Sequence, residues 1–151
     1  HINIDKNNTN VPNGMEVDAK KAGKDYEKII EGFGGIDLQL LGLGNNGHIG
    51  FNEPADEFVD KTHVVDLTES TIKANKRFFE SADDVPRQAY TMGIGSIMRA
   101  KRVVMLVNGK AKAGIVKEAF TGPITPRVPA SVLQLHSNFI LIGDAEALSC
   151  V

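Results

Sequence analysis

Short, nearly continuous apolar runs alternate with amphipathic stretches along this chain, and that alternation leaves few folds open. Ile36 to Leu43, broken by Asp37 and Gln39, has the make-up of a strand buried on both faces of a parallel sheet. His63 to Leu67, Ala89 to Gly93, Arg102 to Val107 and Phe139 to Ile142 read as further strands. Between them lie helical patterns. Ala19, Ala22, Tyr26, Ile29, Ile30 and Phe33 recur at helical spacing after Asp18, an N-cap residue, and Gly34-Gly35 ends the pattern. Thr68 is placed to cap a helix through Ile72, Ala74 and Phe79; a short helix near Ser96 to Ala100 and an amphipathic one over Lys110 to Phe120 follow. Strands separated by helices need crossover connections. The expected fold class is therefore α/β, a doubly wound, mostly parallel sheet flanked by helices, Rossmann-like.

With 151 residues, 42% of them apolar, and no repeat or linker, residues 1–151 are expected to form one domain. The chain opens at His1 directly into Ile2-Asn3-Ile4, which suggests a cut from a longer polypeptide. The net charge of −2 comes from interspersed acids and bases without a basic stripe, so nucleic acid is not an expected partner. No apolar run has the length of a membrane span or the pattern of a signal peptide, and a membrane is not expected either. The single cysteine, Cys150, cannot form an intramolecular disulfide, in keeping with the cytoplasm as the expected location.

In open α/β sheets, ligands bind beyond the carboxyl ends of the strands. The loop after Leu43 reads Gly44-Asn45-Asn46-Gly47-His48-Ile49-Gly50-Phe51-Asn52-Glu53-Pro54 and sets an imidazole and a carboxylate five residues apart among glycines. Both are expected to face one ligand. His48 titrates near neutrality, at about 6.5 when unperturbed, so it can take and return a proton at low cost. Glu53 is suited to hold its tautomer and stabilise the imidazolium. By spacing alone the bland reading is the commoner one: a surface histidine, an ordinary Asn-Gly turn and a Glu-Pro that ends a segment. No metal site is expected, since His48, His63 and His136 are scattered, and no cofactor is called for.

The string from Leu41 to Pro54 closely resembles the signature of the glucosamine-6-phosphate deaminases, a family that converts glucosamine 6-phosphate and water to fructose 6-phosphate and ammonia. Further family-like segments follow in collinear order: Ala74-Asn75-Lys76-Arg77-Phe78-Phe79, Val85-Pro86, Thr91-Met92-Gly93, Lys110-Ala111-Lys112-Ala113, and Pro129-Ala130-Ser131 through Leu135-His136. The resemblance implies that His48 opens the pyranose ring by moving a proton from the anomeric hydroxyl to the ring oxygen, with Glu53 assisting. It implies that Arg77 and Lys112 hold the sugar phosphate, a task fitting a planar guanidinium and a compact ammonium, and that Gly42 lies in the substrate-binding part of the loop. Without it, Arg77 and Lys112 would read as solvated helix residues.

Two departures from the family pattern matter. Asn46 stands where many members have aspartate; it cannot act as a base, but its amide can orient His48, and the lost anion leaves the histidine with a lower pKa. The family's glycine-rich phosphate loop and the aspartate that takes the C2 proton lie upstream of the segment resembled by His1 and have no counterpart here. The chain is thus expected to be the carboxyl-terminal part of a sugar-phosphate deaminase domain. A sugar-phosphate lactonase is the nearest alternative, though that group usually lacks the Phe51-to-Pro54 continuation; a non-catalytic sensor would tolerate loss of His48 or Glu53, and both are present.

Some family members are hexamers activated by N-acetylglucosamine 6-phosphate through basic residues just after the Glu-Pro. Here Ala55 to Asp66 carries four carboxylates against one lysine, with His63 and Val65 where the cationic pair is expected. That composition disfavours a phosphate. The expected assembly is smaller than a hexamer.

Overall fold

A computed structural model describes residues 2–81 and 83–151; His1, where the sequence opens, lies outside them. Helix α1, Ala19–Gly32, begins where Asp18 accepts from the backbone N–H groups of Lys20 and Lys21 at 3.0 and 3.1 Å, and it stops ahead of Gly34 and Gly35, both at positive φ. Gly23, costly inside a helix, lets α1 press onto the next segment. A Cβ there would stand 2.3 Å from the Thr62 carbonyl oxygen. Beside that contact the Glu27 carboxylate, 7% exposed, accepts from the Thr62 backbone and hydroxyl at 2.8 and 2.7 Å and from the Ser96 hydroxyl at 2.6 Å. Burial alone would raise its pKa, but these donors and nearby Lys61 outweigh it and hold it below the usual carboxylate value.

Strands β1, Leu38–Gly42, β4, Arg102–Val107, and β5, Phe139–Gly143, form a parallel sheet in the order β1-β4-β5. Leu38 lies opposite Arg102, and Val103 opposite Phe139. The long crossover from β1 to β4 carries β2, His63–Asp66, α2, Glu69–Asn75, β3, Gln88–Thr91, and α3, Ile94–Met98. The return from β4 to β5 carries α4, Ala113–Thr121. Strands β2 and β3 do not join the sheet but pair antiparallel with each other, so the parallel core is narrower than the run of five strands suggests. The second helix is also shorter than its spacing implies: α2 ends at Asn75 and gives way to a 3-10 turn, Lys76–Phe78, before Phe79.

Alternation along each strand decides which face is covered. Leu41, Val103, Met105 and Val107 are at most 7% exposed and pack with Ile97, Val116, Ala119 and Leu133 into the core, joined by the stacked rings of Phe120 and Phe139. Their neighbours face the other way. Leu38 and Leu40 are each 58% exposed, Leu106 48%, Ile140 40% and Ile142 51%. The expectation that Ile36 to Leu43 is buried on both faces is therefore corrected: the sheet is covered on one face and presents an apolar second face.

Candidate active site

Adjacent strands β1 and β4 end side by side, and the segments leaving their carboxyl ends meet around a cavity of about 640 Å³. The segment after β1 is wound tightly. Gly44 donates its N–H to the His48 carbonyl at 2.9 Å, Gly47 donates to the Gly44 carbonyl at 3.0 Å, and Gly47 and Gly50 take φ of 85° and 61°. The His48 imidazole lies directly against Gly44, where an added Cβ would stand 2.4 Å from the ring. Only glycine admits the ring there. Asn52 ties the loop to the end of β3, its amide donating to the carbonyls of Ile49 and Met92 at 2.9 and 2.8 Å, while the Phe51 N–H donates to the Thr91 hydroxyl at 3.0 Å.

Gly42, Asn46 and His48 line the cavity, as does Lys112, which arrives from the 3-10 turn Lys110–Lys112 beyond β4. Its ammonium donates to the Leu43 carbonyl at 2.7 Å, and burial pushes its pKa down. Two N–H donors remain for a ligand. Glu53 is not among the residues that line this cavity. It stands behind His48, its side chain 10% exposed, with Oε2 at 3.5 Å from His48 Nδ1. That separation exceeds a hydrogen bond, and buried Nδ1 has no hydrogen-bond partner among the described residues, so charge rather than a formed bond couples the pair.

Asn46 holds the carboxylate more than the imidazole: its amide donates to Glu53 Oε2 at 2.6 Å, while its carbonyl oxygen accepts the His48 backbone N–H at 3.3 Å. On the other oxygen, Oε1 accepts from the Thr71 hydroxyl, with the Thr68 hydroxyl 3.2 Å away. Sequence reading gave Thr68 only its capping role and gave Thr71 none. Burial would raise the Glu53 pKa, but Thr71, Asn46, His48 and Thr68 together outweigh it, and the group titrates below the usual range. His48 is also shifted down. Burial is the main cause and Lys112 adds to it, with Glu53 opposing. The imidazole is therefore neutral at pH 7, the form a base requires.

Arg77 is not brought to the cavity. It is exposed in the 3-10 turn after α2, its guanidinium 4.7 Å from the centre of the Phe78 ring. His63 and His136 lie elsewhere, bound to the carbonyls of Lys61 and Ala100 at 2.8 and 2.9 Å. Among the described residues no cluster of three or more His, Cys, Asp or Glu is placed to hold a metal. Nor is any helix there long and apolar enough to cross a membrane.

Residues 1–141 match the family profile described as glucosamine-6-phosphate isomerases/6-phosphogluconolactonase. Among curated proteins, the glucosamine-6-phosphate deaminase of Thermoanaerobacter sp. (strain X514) is 56% identical over 151 residues, which cover 100% of this chain and 60% of that protein. The glucosamine-6-phosphate deaminase of Clostridium perfringens (strain 13 / Type A) is 55% identical over 147 residues, covering 97% of this chain and 61% of that one. The chain thus spans about three-fifths of the length of the curated relatives it matches. A solved structure of a monomeric glucosamine-6-phosphate deaminase superposes with a TM-score of 0.89 at 46% identity, covering 94% of this chain and 59% of that one. A 6-phosphogluconolactonase from Trypanosoma cruzi shares the fold, with a TM-score of 0.60 at 21% identity over 89% of this chain and 54% of its own.

Proposed function

Because the chain belongs to the glucosamine-6-phosphate isomerase/6-phosphogluconolactonase family, we propose that it supplies the ring-opening part of a glucosamine-6-phosphate deaminase site. The observation that carries this reading is the placement of His48, on the cavity wall in front and backed by a fixed carboxylate behind. With Nδ1 turned to Glu53, the favoured tautomer keeps its proton on Nδ1 and leaves Nε2 as the basic nitrogen. Nε2 takes the proton of the anomeric hydroxyl and returns it to the ring oxygen, so that the C1–O5 bond breaks as the C1 carbonyl forms. Glu53 never touches substrate; it stabilises the transient imidazolium. Lys112 is the cation facing the cavity and holds the substrate's phosphate, with Arg77 joining only by leaving Phe78.

The complete reaction consumes water and releases fructose 6-phosphate and ammonia. It needs a further base for the C2 proton and a phosphate loop, for which these 151 residues contain no counterpart, and we assign the chain to the carboxyl-terminal part of a larger sugar-phosphate deaminase domain acting in the cytoplasm. The apolar sheet face beside the cavity supports that assignment, since a wet face of leucine and isoleucine of this kind ordinarily packs against something. Deaminase is favoured over lactonase because the deaminases match at more than half identity, while the lactonase likeness extends to the fold alone.

Regulation by an acetylated sugar phosphate is not expected. Asp56 and Asp60 are already paired with Arg127 and Arg99, and the hollow of about 260 Å³ beside His63 and Val65 is lined by Glu53, Glu57 and Asp66 without a lysine or arginine. In a polypeptide that joins this chain to the part of a curated relative it does not span, formation of fructose 6-phosphate and ammonia tests the reaction. Saturation curves should be hyperbolic and unchanged by N-acetylglucosamine 6-phosphate, in an assembly smaller than a hexamer. Sigmoidal curves that become hyperbolic on its addition would show that Ala55 to Asp66 holds an activator site.

A further inference from the structure

We propose that Thr71 is a positioning residue for the His48–Glu53 pair, its hydroxyl fixing one carboxylate oxygen of Glu53 so that the other stays turned to His48. The inference rests on the reading of His48 as the ring-opening base. Glu53 is gripped at both ends: Oε2 accepts from the Asn46 amide at 2.6 Å, and Oε1 accepts from the Thr71 hydroxyl. With both oxygens held, the carboxylate cannot rotate about its terminal bond, and Oε2 stays 3.5 Å from Nδ1. The grip matters because no formed hydrogen bond joins His48 to Glu53. Where charge alone couples a pair, the separation sets the strength, and that separation is set from behind.

Thr71 is built for this. It is 4% exposed in the first turn of α2, and that turn is itself fixed by Thr68, whose hydroxyl accepts the Thr71 N–H at 3.3 Å and lies 3.0 Å from the Thr71 hydroxyl. A hydroxyl near a helix start ordinarily bonds to backbone groups of its own segment. Here the proton goes instead to a carboxylate 18 residues upstream in the loop. The charged groups facing His48 are Glu53 from its own loop and Lys112 from beyond β4, so a change in Glu53 alone is legible in the titration of the ring.

The test is the pH titration of the His48 ring protons by NMR in the 151-residue chain, assigned with a His48→Gln sample. Thr71→Val keeps the shape of the side chain and removes the donor. With only the longer contact from the Thr68 hydroxyl, at 3.2 Å, left on Oε1, the carboxylate is held less firmly against Nδ1, the imidazolium is less stabilised, and the His48 pKa falls; Thr71→Ser, which restores the hydroxyl, should return it to the wild-type value. In a Glu53→Gln background Thr71→Val should leave the His48 titration unmoved, whereas a general loosening of α2 would still move it. Thr71→Ala is expected to reproduce the fall, should the valine disturb packing. An unchanged or raised His48 pKa in both Thr71 variants, or a fall that persists without Glu53, overturns the proposal. No substrate enters the measurement, so it can fail while His48 remains the base, and it can succeed even if His48 proves to serve another reaction.

Discussion

Replacing His48 with Gln in a polypeptide that completes the site lowers kcat by about 10²–10⁴-fold, the usual contribution of a general acid–base group, while KM changes far less. Glutamine keeps a polar side chain against Gly44 but has no group that both accepts and returns a proton near neutral pH. Because burial and Lys112 depress the pKa of His48, the base form persists as pH falls to about 6.5, the ordinary imidazole value, and activity declines only below it. The same shift enters stability. The unfolded chain takes up this proton at higher pH than the folded one, so stability is lost as pH drops through the interval between the two values, and Glu53, also depressed, adds to that loss below the carboxylate range. Steady-state kinetics on the variant decide the matter, and an unchanged kcat would remove His48 from the mechanism.

The second large effect is an absence: the 151-residue chain alone releases no ammonia from glucosamine 6-phosphate above the level of its His48→Gln variant. Among the described residues that line the cavity, His48 is the proposed base and Lys112 the one cation, and Leu40, exposed on the open sheet face, forms part of the wall. On the proposed reading no described residue there is assigned the carbon-bound proton, and Lys112 by itself would fix a phosphate weakly, so the positioning that accounts for much of an enzymatic rate is missing. Joined to the part of a relative it does not span, the chain is expected to regain the reaction. Ammonia release by the purified chain itself would refute this.

Much of the frame was legible in the sequence because local signals carried it. Strand β4 begins and ends where its apolar run does, and Asp18 and Gly34-Gly35 bound α1 as their backbone preferences dictate. What failed was non-local. A strand with leucines on both sides reads the same whether its second face is covered or open, so the exposure of Leu38 and Leu40 could not be read from residues 36–43. The antiparallel pairing of β2 with β3 depends on how a long crossover folds back, which periodicity does not encode. At the site, His48 and the loop glycines stood out because imidazole and glycine are chemically distinctive. Thr71 did not, since a hydroxyl near a helix start is commonplace, and only folding brings it to a carboxylate in another loop. Arg77 was read from resemblance, and its position depends on where α2 yields to the 3-10 turn.

The claim that this chain carries ring opening without deamination is tested most directly by the exchange of glucosamine 6-phosphate between its α and β anomers, followed by NMR exchange spectroscopy with the 151-residue protein at high substrate. Anomer exchange requires only that the ring open and close, which is the step assigned to His48, and it needs neither a C2 base nor loss of the amine. Acceleration by the wild-type chain that disappears in His48→Gln, with no ammonia formed, is the result predicted. Exchange no faster than in the His48→Gln sample would contradict it.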